Sequence, residues 1–180
     1  MTTTDDLTLA LEAATAAGAL LRDHWNDRGA LMIDAKRQGD FVSQADHRAE
    51  ALLRDRLLGA NPEDGWLGEE TEGRAGRRRW IVDPLDGTTN FLRGIAHWAV
   101  SIALEQDGQL VLGVVHDPLK DETFSAVTGG GLRLNGTALV PAAPAGFDAA
   151  LFGTGLPFGT MPHIDDHAAA LARGLPGTAG

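Results

Sequence analysis

The strongest constraint on this chain is the spacing of its turns between residues 96 and 140. Ala96 to Glu105 and Gln109 to His116 are apolar-rich runs that flank Asp107-Gly108. Thr123 to Val127, Gly131 to Leu134 and Thr137 to Val140 follow, separated by Gly129-Gly130 and Asn135-Gly136. Asp-Gly and Asn-Gly readily take the positive φ angles that two-residue hairpins need. Parallel neighbours require a crossover of about a dozen residues, which these links do not provide. An antiparallel meander is therefore predicted.

The preceding text is helical. Leu7, Ala10, Leu11, Ala14, Gly18, Leu21 and Trp25 recur at three- and four-residue steps. Thr3 or Thr4 is expected to cap this helix, with Asp5 and Asp6 in its first turn and Asn26 to Gly29 at its end. A second stripe, Ala45, Ala49, Leu52, Leu53 and Leu57, follows the polar segment 36–40, and Gly59, Asn61 and Pro62 are expected to close it. Two N-terminal helices layered on an antiparallel sheet make an α+β architecture. Further on, Leu151 to Gly155 is expected to add a strand and Asp165 to Arg173 a short helix. Pro141 to Gly146, rich in Pro and Ala, is the expected boundary between a domain at 1–145 and the start of a second at 146–180.

Composition narrows the function classes. The 180 residues carry a formal charge of -10 with 43% hydrophobic content, enough for one ordinary core. Such acidity argues against a nucleic-acid polymer or an anionic membrane as partner, since both need a basic face. The one dense basic cluster, Arg77-Arg78-Arg79, reads as a solvated loop edge before a strand. With no cysteine, disulfides, thiolate catalysis and Cys-ligated zinc are excluded. No signal-peptide pattern opens the chain and no apolar run approaches the ~20 residues of a membrane span, so a soluble cytoplasmic protein is expected.

Chemistry concentrates at Trp80-Ile81-Val82-Asp83-Pro84-Leu85-Asp86-Gly87-Thr88-Thr89-Asn90-Phe91. The apolar run stops at Asp83, and Asp86 follows across a proline. Asp-Pro and Asp-Gly are ordinary turn chemistry, so both aspartates have a purely structural reading. Trp66-Leu67-Gly68-Glu69-Glu70 is a second short run ending in carboxylates. If the two runs are neighbouring strands, three or four negative charges share a corner, which a hard cation would compensate. A helix starting near Gly87-Thr88-Thr89 would present free amides to an anion, or Thr88 or Thr89 would simply cap it. Ser43 to Asp46 has capping-box spacing, and on local grounds Asp46 is a structural cap and Lys36 a surface lysine. His163 and His167 stand four apart without the acidic pattern of a zinc site.

These strings together resemble the inositol monophosphatase family. The likeness rests on Lys36 with Gly39-Asp40-Phe41-Val42-Ser43-Gln44-Ala45-Asp46, on Gly68-Glu69-Glu70 and on Asp83-Pro84-Leu85-Asp86-Gly87-Thr88-Thr89-Asn90-Phe91. It continues through Ala99-Val100-Ser101-Ile102, Gly113-Val114-Val115, residues 129–136 and Thr154-Gly155-Leu156-Pro157-Phe158. The resemblance implies a magnesium-dependent, lithium-sensitive phosphatase and the first half of an αβαβα sandwich. Carried over by position, Glu69, Asp83 and the Leu85 carbonyl would hold one Mg²⁺. Asp83 and Asp86 would hold a second, and Glu69 would help place a third. Thr88, Asp46 and Glu69 would form the catalytic set, with Thr88 and Asp46 orienting and activating water. Asp86, Gly87 and Thr88 would meet the substrate, the amides of Gly87 and Thr88 binding its phosphate. Glu70 would lie beside the metal shell. Aspartyl-phosphate hydrolases of the haloacid dehalogenase type use Asp-x-Asp, and here two residues separate Asp83 from Asp86.

The expected substrate is a small phosphorylated metabolite, inositol monophosphate or else histidinol phosphate, 3′-phosphoadenosine 5′-phosphate or fructose bisphosphate. The resemblance also implies a second domain whose Trp-Asp pair completes the second metal site. No Trp-Asp pair occurs in this sequence, so a truncated second domain is expected. Two readings follow: a phosphomonoesterase, or a catalytically incomplete metal- or phosphate-binding module that needs the missing C-terminal domain or a partner, such as a homodimer mate.

Overall fold

The computed structural model describes residues 3–27, 33–37, 40–140 and 164–174. Helix α1 (Thr3–Asn26) is followed by β1 (Ile33–Arg37) and β2 (Asp40–Ser43), which form a two-stranded sheet. Then come α2 (Gln44–Ala60), β3 (Gly65–Leu67), β4 (Arg78–Asp86) and the short α3 (Thr88–Arg93). Strands β5 (Ala99–Gln106), β6 (Gln109–Asp117), β7 (Glu122–Val127), β8 (Gly131–Leu134) and β9 (Thr137–Leu139) complete a seven-stranded sheet in the order β3-β4-β5-β6-β7-β8-β9. The chain divides into two compact units, residues 1–34 with 41–139, and residues 35–40 with 140–180. The second contains α4 (Ile164–Gly174). The expected strand at 151–155 and the expected domain boundary at 141–146 lie outside the described residues.

The meander follows the turn chemistry. Asp107 and Gly108 have φ of 52° and 77°, and Asn135 and Gly136 have 49° and 78°, the paired positive angles of tight hairpins. All neighbours from β4 to β9 are antiparallel. The exception is at the edge, where β3 runs parallel to β4 with Trp66 beside Trp80. This pair is joined by a ten-residue link rather than a hairpin, so its direction is free of turn constraints.

Period-two alternation sends Val100, Ile102 and Leu104 of β5 and Leu112 and Val114 of β6 toward the helices. Helix α1 packs on α2 and across β5, β6 and β7, while α2 packs on β4. The α1 face is built from Ala10, Ala13, Ala14, Ala17 and Leu21, all essentially buried. Small residues let the helix approach closely. Gly18 is the extreme case, since a Cβ there would stand 2.5 Å from the His116 ring. Among the described residues no helix is long and apolar enough to cross a membrane.

Several local expectations shift. Helix α1 already includes Thr3 and Thr4, so neither precedes it as a cap, and Gly59 lies inside α2. Of the polar segment 36–40, Lys36 and Arg37 lie in β1 and Asp40 opens β2. The run at Trp80 does not stop at Asp83. Strand β4 continues to Asp86, with a register irregularity against β5 between Asp83 and Asp86. Pro84, which has no N–H for the ladder, sits in that irregular step.

Candidate functional site

The site assembles at the carboxyl end of β4, where three segments meet. The parallel pairing of β3 with β4 sets Leu67 beside Ile81, so the chain leaving β3 carries Glu69 to the neighbourhood of Asp83. Burial, the charge of Glu69, a hydrogen bond between the two carboxyls and the charge of Asp86 push Asp83 up to about 7; the Leu85 amide partly opposes this. That amide donates to Asp83 Oδ1 at 3.1 Å, tightening the turn through Pro84. The structure thus brings Glu69, Asp83 and Asp86 within electrostatic reach of one another.

A second pairing joins α2 to the end of β4. Asp46, in the first turn of α2 and 1% exposed, accepts from Thr88 Oγ1 at 3.0 Å. The same hydroxyl lies 3.0 Å from the Leu85 carbonyl. It has one hydrogen, so the two acceptors compete for it. Local reading of the sequence made Asp46 a capping residue. Here it occupies the first turn of α2, where the helix dipole favours a carboxylate, and also holds Thr88.

Gly87 takes the N-cap of α3 with φ 97° and ψ 34°, and no side chain caps that helix. The alternative in which Thr88 or Thr89 caps α3 is therefore overturned: Thr88 lies inside the helix, with its hydroxyl turned to Asp46 and Leu85. Behind α3, Phe91 meets Trp25 at 5.5 Å and Trp98 at 5.0 Å between ring centroids. This aromatic cluster fixes the short helix on α1 and the start of β5. A cavity of about 310 Å³ opens beside Asp86 and Gly87, with Asn90, Trp98, Lys120 and Phe124 in its walls. That volume is at the lower end for small-molecule sites.

The donor set can be tested against a cation. The charges of Glu69 and Asp86 crowd the partly buried Asp83 carboxyl, which is unfavourable by itself, and a hard cation can offset that crowding. Among the described residues no three Asp, Glu or His side chains converge tightly enough to surround an ion. The arrangement is a carboxyl pair with Asp86 nearby and the Leu85 carbonyl as a neutral oxygen, rather than a closed cage. An all-oxygen, open-sided set of this kind fits Mg²⁺, which keeps several waters and uses one or two carboxylates.

Glu70 contributes its backbone amide, which donates to Glu50 Oε2 at 2.7 Å. His167 lies on α4, in the second unit, while His163 and the side chain of Lys36 lie outside the described residues. The arginine cluster is a solvated edge at Arg77, whose side chain is 81% exposed, and not at Arg78, whose side chain is 21% exposed. Arg78 binds Asp6 through both terminal nitrogens at 2.6 and 2.8 Å and reaches Asp64 at 3.1 Å. Arg79 pairs with Glu105 across the β4–β5 ladder, and Arg77 pairs with Asp107.

Sequence reading missed Glu50. It lies one helical turn after Asp46, in the register of the buried Ala45, Ala49 and Leu53. Two carboxylates at i and i+4 on an apolar stripe were the available signal.

The family model described as "Inositol monophosphatase family" matches residues 3–175. An inositol-1-monophosphatase of Rhizobium meliloti is 45% identical over 154 residues, covering 84% of this chain and 58% of that protein. The Nus factor SuhB of Escherichia coli K12 is 37% identical over 155 residues, with the same coverage. The crystal structure of extragenic suppressor protein suhB from Bartonella henselae superposes with a TM-score of 0.90 at 37% identity, covering 96% of this chain and 67% of that one. This chain thus spans 58% of the length of the curated relatives it matches. On the match across residues 3–175 and these relatives, the chain belongs to the inositol monophosphatase family.

Proposed function

We propose that the site hydrolyses the phosphate monoester of a small metabolite by direct attack of water, with Mg²⁺ held by Asp83, Glu69, Asp86 and the Leu85 carbonyl. The observation that carries this reading is the placement of the Asp83–Glu69 carboxyl pair one short turn from the Thr88–Asp46 hydrogen bond. When bound, Mg²⁺ supplies charge neutralisation for the phosphate and lowers the pKa of water. Thr88 Oγ1 directs its hydrogen to Asp46 and keeps its lone pairs for a water O–H, which orients that water. Asp46, buried and fixed in the first turn of α2, is the acceptor toward which the proton moves. The amides at Gly87 and Thr88 take the phosphate oxygens, and the left-handed backbone at Gly87 turns the chain there. Asp86, which lines the adjoining cavity, contacts the alcohol portion.

Inositol 1-phosphate is the substrate class that the Rhizobium meliloti relative's name favours. Histidinol phosphate, 3′-phosphoadenosine 5′-phosphate and fructose bisphosphate complete the panel. A cytoplasmic setting, lithium inhibition and pairing of two copies belong to the same reading. Ile95 and Val115, 53% and 42% exposed, offer apolar surface suited to such pairing, and light scattering measures it.

The test is phosphate release from this panel with and without Mg²⁺, alongside calorimetric Mg²⁺ titration. Release that requires Mg²⁺ and falls with Li⁺ supports the phosphatase. Mg²⁺ binding without release favours the incomplete binding module, a reading supported by the open ligand set. Absence of both overturns the site.

A further inference from the structure

We propose that Glu50 is the positioning residue of the site: it holds the Gly68–Thr71 turn so that Glu69 faces Asp83. The proposal rests on the reading of Glu69 as a cation ligand. Glu50 is 0% exposed on α2, an unusual place for a carboxylate without a specific task. Both of its oxygens accept from the turn. Oε2 receives the Glu70 amide at 2.7 Å, and Oε1 receives the Thr71 hydroxyl. Trp66, 1% exposed, donates its indole N–H to the same Thr71 oxygen at 3.0 Å.

The base of the turn is closed independently. Trp66 and Arg74 exchange two backbone hydrogen bonds of 2.7 Å each. Glu50 adds two bonds from α2 to the segment between them, in which Glu69 is an exposed side chain. The close fit leaves no room for a side chain at Gly68. A Cβ there would lie 2.6 Å from Glu50 Cδ and 2.7 Å from Trp66 Nε1. Glutamine has one acceptor oxygen where Glu50 uses two, and it lacks the charge that strengthens both bonds, so an isosteric amide holds the turn less tightly. Residues that orient metal ligands typically change metal affinity by about 10–100-fold when replaced.

The experiment compares wild type with Glu50→Gln, Thr71→Val and Thr71→Ser. Mg²⁺ affinity is measured by calorimetry, and amide hydrogen exchange across residues 66–74 is measured without metal. Glu50→Gln is expected to weaken Mg²⁺ at least ~10-fold and to lose protection at the Glu70 amide, while Trp66 and Arg74 stay protected. Thr71→Val should weaken binding by a smaller factor, and Thr71→Ser should restore it. Undiminished Mg²⁺ affinity in Glu50→Gln overturns the proposal, as does unchanged protection at Glu70. If wild type itself binds no Mg²⁺, the ligand reading fails, and exchange at Glu70 still decides whether Glu50 holds the turn. Loss of protection throughout 66–74 in Glu50→Gln would identify a general folding role and also overturn the positioning role.

Discussion

Burial and the nearby charges of Glu69 and Asp86 favour the protonated form of the Asp83 carboxyl and outweigh the opposing Leu85 amide. Its folded pKa of about 7 lies above the unfolded value of about 3.9. The native state therefore binds the extra proton, and the stability Asp83 contributes at low pH is lost as pH rises from about 4 through 7. His116 acts in the opposite sense. Burial lowers its pKa, so stability falls as pH drops below about 6.5. Comparison with Asp83→Asn separates the two. Without metal this variant should melt higher than wild type at pH 8, by about 1 kcal/mol after discounting for partial exposure, or roughly 2–4 °C. Its Mg²⁺-induced rise in melting temperature should vanish. A metal-free variant less stable than wild type at pH 8 would contradict the repulsion assigned to this pair. At Thr88, alanine should cut turnover by about 100-fold or more while Mg²⁺ affinity changes less than about threefold; steady-state kinetics with a parallel metal titration checks both. Glu69, Asp83 and Asp86 were legible in the sequence because carboxylates crowded at the ends of apolar runs are costly wherever they fold. Glu50 was marked only by its place four residues after Asp46 on an apolar stripe, while its partners lie 20 and 21 residues away.

Elements were legible where periodicity and turn chemistry agree. The β5–β6 and β8–β9 hairpins follow from Asp107-Gly108 and Asn135-Gly136, and the helices from three- and four-residue stripes. Strand β4 was read too short because an apolar run is a burial signal: it stops at Asp83, while backbone pairing resumes at Asp86. The two-stranded sheet of β1 and β2 was hidden by its polar sequence. Helix α3 is the element most dependent on a single residue. Gly87 has φ 97°, and a Cβ there would stand 3.0 Å from the His97 carbonyl and 3.3 Å from Trp98 Cβ. Gly87→Ala should therefore cost about 1–2 kcal/mol, seen as a lower urea midpoint. It should also disturb Thr88, lowering activity beyond the loss of stability. An alanine variant with unchanged midpoint would show that the left-handed turn is not required.

At the scale of the whole first unit, β4 carries two different devices at its two ends. Its carboxyl end holds the candidate site. Its amino end holds Arg78, which joins Asp6 of α1 to Asp64 before β3, two partners that are 2% and 6% exposed. Asp6 lies 72 residues away from Arg78, which is why three adjacent arginines read as a solvated edge in the sequence. Trp80 adds its indole N–H to Asp64 at 3.1 Å, so the knot also grips the core. Removing the arginine leaves two buried carboxylates without their cation, a loss of about 3–5 kcal/mol for such groups. Arg78→Leu should accordingly lower the thermal midpoint by several degrees or more. Asp6→Asn in the same chain should recover part of the loss, because one stranded charge is then removed. The site lies at the other end of the strand, so Mg²⁺ affinity measured well below the midpoint should match wild type in both variants. A fall in affinity at full folding would mean that the two ends of β4 are coupled, and that α1 helps hold the carboxyl pair through the strand.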